Sequence, residues 1–325
     1  MTQPTAIRDQ LDGLARERIL LLDGAFGTQV QRLELGEADF RGDAFAGHSR
    51  DLRGDTDVLC LTRPEAVVAI HDTYLAAGAD VVSTNTFNAT RVSQAEYDLG
   101  DAVYELNLAA ARLARRASDD WSARTADRPR FVAGSVGPTN RTLSLSPVVD
   151  DAAFRARTFD ELRDAYAEQV RGLVDGGVHL LLVETIFDTL NGKAALVAAR
   201  DVFDERGVEL PVIVSVTIVD RSGRNLSGQT VDAFWASVEH AEYGTEVEIP
   251  FAFNVGDRGY AAGKYIVRLN RLQQGTAIME IRDSKNKNIQ IFLATRNNDV
   301  SGEGVELIFE RVGEKRMLSR MSTPS

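Results

Sequence analysis

From about residue 16 to residue 241, short unbroken apolar runs alternate with longer amphipathic stretches, and this alternation limits the fold more than any other feature. The runs Ile19–Leu22, Val58–Leu61, Asp80–Thr84, Phe131–Ser135, Leu180–Glu184 and Val212–Thr217 read as strands. They are continuous rather than alternating, as expected of strands covered on both faces. Helical patterns lie between them, so successive strands have room for the crossover that parallel pairing demands. Arg63–Ala77 is predicted to be a helix stopped by Gly78, a residue free to adopt a left-handed conformation. Thr158–Asp175 opens on a capping box, with Glu161 three residues after Thr158. Asp101–Ala117, Asn191–Phe203 and Thr230–Ala241 complete the series.

Two α/β architectures fit that order, a (β/α)8 TIM-type barrel and an open doubly wound sheet. Polar clusters decide between them. DGAFGT, TNTFNAT, GSVGPTN, VETIFDT and SVTIVD follow or close most of the strands. Functional side chains at the C-terminal ends of many strands are the habit of the barrel, whereas an open sheet gathers its site at one switch point. The expectation is therefore an incomplete barrel of about six βα units over residues 1–241. Beyond Ala241 the period changes. EVEIPFAFNV, KYIVRLNRL, TAIMEIRD, NIQIFLAT and VELIFERV are short runs separated by turn signals, and they predict a small antiparallel all-β domain over residues 242–325.

Charge and cysteine content narrow the function. Residues 242–325 carry 12 Lys and Arg against 11 Asp and Glu, so the net charge of -11 belongs to the first part of the chain. Such an acidic surface argues against a nucleic-acid partner, which requires positive charge. No apolar run is long enough to span a bilayer, and the N-terminus lacks the apolar core of a secretory signal. With a single cysteine, Cys60, and hence no intrachain disulfide, the expected location is the cytoplasm.

The polar clusters hold the candidate site residues. Asp23 and Gly24 follow the first run, where a carboxylate can meet a cationic group and glycine lets a substrate reach the backbone. The competing reading is a tight turn in which Asp23 bonds the backbone. Asn85, Phe87 and Asn88 offer two amides and a ring after the third run, and loop capping explains them equally well. Glu184 closes the apolar run HLLLV, where an unpaired charge is costly, so it should meet a cation. Asp188 either shares that role or caps the following helix. Ser215 and Thr217 end the sixth run.

Taken together, LLDGAFGTQVQ, TNTFNATRVSQAEY, GSVGPTNRTLSLSP, VETIFDTLNGKAA and SVTIVDRSGRNLSGQTVDAF closely resemble the homocysteine-binding domain of cobalamin-dependent methionine synthase over residues 16–241. The resemblance implies a barrel that binds homocysteine and ligates its sulfur to zinc, producing a thiolate to attack methylcobalamin. It casts Asp23 and Glu184 as partners of the substrate amino group, with Asn85, Asn88, Ser215 and Thr217 lining the pocket. It also implies cobalamin and folate modules, which would lie on other chains.

One departure bears on the chemistry. The resemblance calls for three zinc-ligand cysteines, in a Gly-Leu-Asn-Cys and a Gly-Gly-Cys-Cys segment, after the helix ending near Ala241. Here Glu242-Tyr243-Gly244-Thr245 follows, and no cysteine occurs again. Cys60, within the second run, matches no ligand position, and His240 is expected to end a helix away from the barrel mouth. IPFAFNVGDRGYAAGKYIVRL instead resembles small β-rich bacterial proteins of no assigned chemistry. The expectation is a homocysteine S-methyltransferase relative impaired in, or without, methyl transfer. The alternatives are a non-catalytic amino-acid-binding protein and a truncated fusion chain, whose open sheet edges would favour self-association.

Overall fold

The computed structural model describes residues 4–219, 221–238, 245–255, 258–271, 276–283, 290–295, 306–312 and 315–322. The chain divides into two compact units, Met1–Val238 and Glu239–Ser325.

The centre of the first unit is a parallel sheet of four strands in chain order, β1 (Val81–Ser83), β2 (Phe131–Val136), β3 (Leu180–Ile186) and β4 (Val212–Val216). Ser83 stands opposite Ala133, Ser135 opposite Leu182, and Val183 opposite Val214. Each link between them crosses over through a helix: α7 (Val103–Arg124), α8 (Phe159–Asp175) and α9 (Thr189–Arg206). Val82, Val132, Leu181 and Val183 are buried. On the opposite face of the sheet, Val81, Phe131, Ala133, Leu180 and Leu182 form a cluster, against which Leu11 and Leu14 of α1 (Pro4–Glu17) pack. β1, β2 and β3 have both faces covered, which is why their sequences are continuous apolar runs, whereas β4 alternates half-buried and exposed residues.

Local signals place the helices. Pro64 starts α5 (Pro64–Ala77), and Gly78 stops it at φ +108°. Thr158 and Glu161 form the expected capping box of α8. At the N-terminal end of β1, the buried Asp80 carboxylate accepts from Arg18 Nη1 at 2.7 Å, Arg128 Nε at 3.1 Å and the Leu21 amide at 2.9 Å. Burial alone would raise its pKa, but these bonds outweigh burial and hold Asp80 down at about 2.

Two of the six expected strands are corrected. Val58–Leu61 is not a strand: Leu59–Thr62 forms a single helical turn, α4, with the Leu61 and Thr62 amides both bonded to the Val58 carbonyl. Cys60 therefore lies in a helix. A four-residue apolar run satisfies either backbone conformation, and burial in a cluster with Val30, Phe40, Leu52 and Val67 selected the helix. Ile19–Leu22 makes only an isolated parallel bridge, Leu22 to Val81, at the β1 edge. The sheet thus has four strands rather than six. Ile213 of β4 is 45% exposed, and Ile19 is 83% exposed.

Within the second unit, β5 (Thr245–Ile249), β8 (Gly263–Arg271), β9 (Thr276–Asp283) and β10 (Gln290–Thr295) form one antiparallel sheet in the order β10-β9-β8-β5. A second sheet has the order β11-β12-β6-β7, from Glu306–Val312, Lys315–Ser322, Phe253–Val255 and Arg258–Tyr260. Its β12–β6 pairing is parallel, a departure from the antiparallel domain expected from the turn signals.

The α7–α8 contact is close enough to be tested directly. A Cβ on Gly172 would lie 2.7 Å from both Asn107 Cβ and the Tyr104 carbonyl oxygen. Gly172→Ala must push the two helices apart, and a loss of about 1–3 kcal/mol is expected. Urea unfolding should show a lower midpoint at unchanged slope. An unaltered midpoint would mean that the helices can separate without cost.

Candidate functional site

Parallel pairing sets the C-terminal ends of β1, β2 and β3 side by side, and two hydroxyls and two carboxylates lie there. Asp23, held beside β1 by its amide bond to the Val81 carbonyl, accepts from the Ser83 hydroxyl at 2.7 Å and the Ser83 amide at 2.9 Å. On the neighbouring strands, the Ser135 hydroxyl donates to Glu184 Oε1 at 2.7 Å. Ser135 is fixed in turn: its amide donates to Thr84 Oγ1, and its carbonyl accepts from Thr86 Oγ1. Gln169 of α8 secures the same loop through the Thr86 carbonyl at 2.8 Å.

Glu184 owes its direction to a backbone irregularity. Between Val183 and Ile186 the register of β3 against β4 shifts, and Thr185 has φ +56°. For a β-branched residue that conformation is strained. A bulge of this kind re-aims a side chain at a strand end, and strain of this kind concentrates at functional sites.

The electrostatics of the pair favour a cation. Partial burial raises Asp23 to about 6, against the Ser83 bonds that lower it and with the nearby Glu184 charge adding to the rise. Neither carboxylate has an arginine or lysine partner among the described hydrogen bonds. A cationic group between them would relieve both.

The other sequence-derived candidates fall into distinct settings. Gly24 is exposed in the loop after Asp23. The buried Asn85 turns away from the strand ends: its amide donates to the Thr56 carbonyl at 2.6 Å and lies 3.6 Å from Cys60 Sγ. Phe87 is half-buried over Gly137, where a Cβ would come within 2.2 Å of its carbonyl oxygen. Asn88 is exposed, and its amide donates to Asp57. Asp188 is buried and occupied, accepting from the amides of Leu143, Ser144 and Leu190 and from the Ser144 hydroxyl. Of its two sequence readings, this geometry is that of a helix cap. Ser215 is exposed on β4, and the Thr217 amide bonds the Ile186 carbonyl at 2.8 Å.

Sequence reasoning passed over Ser83 and Ser135, the hydroxyls that orient both carboxylates. The only available signal was their position at the ends of apolar runs, and serine at a strand end is commonplace.

The zinc implied by the resemblance can be tested against the donors present. Cys60 is buried, its thiol lies 3.5 Å from the Asn85 carbonyl, and burial pushes its pKa well above the ordinary thiol range. His48 bonds the Tyr97 carbonyl, His179 accepts from the Val132 amide, and His71 is enclosed beside Phe26. His240 lies outside the described residues. Among the described residues, no three His, Cys, Asp or Glu side chains are grouped to hold a metal ion. This donor set does not fit a thiolate-bound zinc.

Residues 20–282 match the family model for homocysteine S-methyltransferase, a range extending past residue 241. Two solved structures of the homocysteine methyltransferase MmuM from Escherichia coli are similar. The metallated form is 22% identical over 70% of this chain and 72% of that chain, at a TM-score of 0.52. The oxidised form is 23% identical over 70% and 71%, at the same TM-score. At these identities the likeness concerns the fold.

Asp23 supplies a test of the site's electrostatics. Its folded pKa lies above the unfolded value of 3.8, so the folded chain holds a proton that the unfolded chain has already released. Stability should therefore fall as pH rises from about 4 through about 6. Asp23→Asn should abolish that share, up to about 2 kcal/mol between pH 4 and 7. Urea unfolding of both proteins across this range gives the difference, and parallel curves would refute the assignment.

Proposed function

The chain belongs to the homocysteine S-methyltransferase family, and on that footing we propose that its first unit binds the amino-acid end of homocysteine at the strand ends. Asp23 and Glu184 take the substrate ammonium. The observation that carries this reading is a pair of serine-oriented carboxylates at the C-terminal ends of β1 and β3, neither with a cationic side-chain partner among the described residues. A bound ammonium favours the ionised form of Asp23, and the Ser83 and Ser135 hydroxyls fix the oxygens that receive it. The half-buried setting strengthens the attraction relative to open water.

The sulfur end is served differently. A free thiol has a pKa of about 8.5 and is mostly protonated at neutral pH. The cysteines that would hold a thiol-activating zinc are not in this sequence. In the reading proposed here, the chain by itself binds homocysteine and is impaired in methyl transfer. For transfer, both the ligands of a metal and the methyl donor, methylcobalamin by the resemblance, must come from outside these residues.

Calorimetry tests the binding step. Homocysteine and methionine should both bind, more tightly at pH 7.5 than at pH 5, because Asp23 loses its proton through about 6. Glu184→Gln should weaken binding about tenfold or more, the scale of a lost charged hydrogen bond. No heat with either ligand at pH 7.5 would sink the proposal. Metal analysis of the purified chain, with a methyl-transfer assay from methylcobalamin, tests the second part. Stoichiometric zinc with turnover would overturn it.

A further inference from the structure

Beneath the loop Asn85–Asn88 lies a second pair of carboxylates that the proposed chemistry does not use. Asp55 is 3% exposed and Asp57 is fully buried. Asp55 Oδ1 accepts from the Asp57 amide at 3.2 Å and from Gln94 Nε2 at 3.1 Å. Asp57 Oδ2 accepts from the Asn88 amide at 2.8 Å, and the intervening Thr56 carbonyl accepts from the Asn85 side chain at 2.6 Å. Residues 55–57 are thus the platform on which both ends of the loop rest. Yet Asp55 Oδ2, Asp57 Oδ1 and Gln94 Oε1 are buried without partners. All three are acceptors; the Val58 backbone and the Thr56 side chain draw the two carboxyls down, but burial outweighs them and leaves these oxygens in want of a donor.

The surroundings supply no charge to satisfy them. The titratable groups facing the pair are the Cys60 thiol and the Tyr97 phenol, and both are shifted upward and remain neutral. No guanidinium or ammonium contributes to the shift of either carboxyl. Two adjacent buried carboxylates cannot both stay ionised under those conditions. A single proton needs no cavity and turns one of the orphaned oxygens into the missing donor.

We propose that Asp55 and Asp57 share one proton at neutral pH and act together as positioning residues for the loop Asn85–Asn88. Burial places Asp55 at about 6, and burial with the neighbouring Asp55 charge carries Asp57 well above the ordinary carboxylate range. Both groups hold protons more strongly when folded, so loop order is complete at low pH and declines as the last proton leaves. The consequence for ligand binding rests on the homocysteine reading, but the positioning role does not.

Hydrogen exchange of the peptide spanning residues 84–90, expressed as protection relative to intrinsic rates, separates the two. In the wild-type chain, protection should fall as pH is raised above 6. Asp57→Asn keeps an acceptor for the Asn88 amide and removes the second titrating charge beside Asp55, so its protection should match the wild type at pH 6 and stay level to pH 9. Asp57→Leu should lose about tenfold at every pH, having left the Asn88 amide unpaired. A pH-dependent fall in Asp57→Asn equal to that of the wild type would overturn the proposal, as would lost protection in that variant at pH 6. If potassium or magnesium ions raise wild-type protection at fixed pH and leave Asp57→Asn unchanged, the pair binds a metal ion instead of a proton, and the proposal fails. Level protection in Asp57→Asn with no homocysteine binding in the wild type would sustain this proposal and refute only the ligand.

Discussion

Parallel pairing of β1, β2 and β3 is the constraint on which the rest of the first unit depends. It puts the C-terminal ends of three strands a few ångströms apart, so residues separated by some fifty positions in sequence share one small region. Ser83 reaches Asp23 and Ser135 reaches Glu184 only because these strands run in the same direction and in that register. The crossover helices make the pairing possible, and α8 also secures the loop above the sheet through Gln169. A shift of one residue in β2 would turn Ser135 to the opposite face and leave Glu184 without its donor.

The region around these strand ends is polar in an uneven way. Asp188 and Asn85 are consumed by backbone partners and so lend rigidity. Among the described residues, Asp23 and Glu184 have only hydroxyl and amide donors, which leaves room for a cation. The strained Thr185 backbone lies beside Glu184, in the part of β3 whose register slips against β4. Strain, unneutralised charge and converging strand ends coincide, and this coincidence is the ground for proposing this region as the functional one. The buried pair Asp55 and Asp57 serves the same region from below by holding the loop that borders it.

Much of this was legible in advance. The capping box at Thr158 and the glycine stop at Gly78 are local devices, decided within a few residues, and the structure contains both. The apolar runs at β1 to β3 were legible because strands covered on both faces cannot hide their composition, and the run at β4 was legible although that strand is only half-covered. Val58–Leu61 misled because four apolar residues carry no period, and the choice between helix and strand fell to the cluster around Cys60. Ser83 and Ser135 escaped notice because a serine gains meaning only from the carboxylate it faces. Asp55 and Asp57, in the stretch RGDTD, have the look of a solvated turn, and their burial depends on residues thirty to forty positions away.

The sequence by itself determined the α/β class, the family resemblance, the positions of Asp23 and Glu184 at the ends of apolar runs, and the single cysteine that sets a limit on metal chemistry. These follow from composition and short-range pattern, which no tertiary contact can alter. Tertiary structure alone decided how many of the runs became strands, that Asp188 caps a helix, and that Asp23 and Glu184 are oriented by serines on neighbouring strands. It also decided that two aspartates are sealed from water beneath the loop. Apart from the Asp188 cap, which is made to Leu190 two residues on, these outcomes turn on groups distant in sequence being brought together, and burial then fixes the protonation the carboxyls can hold.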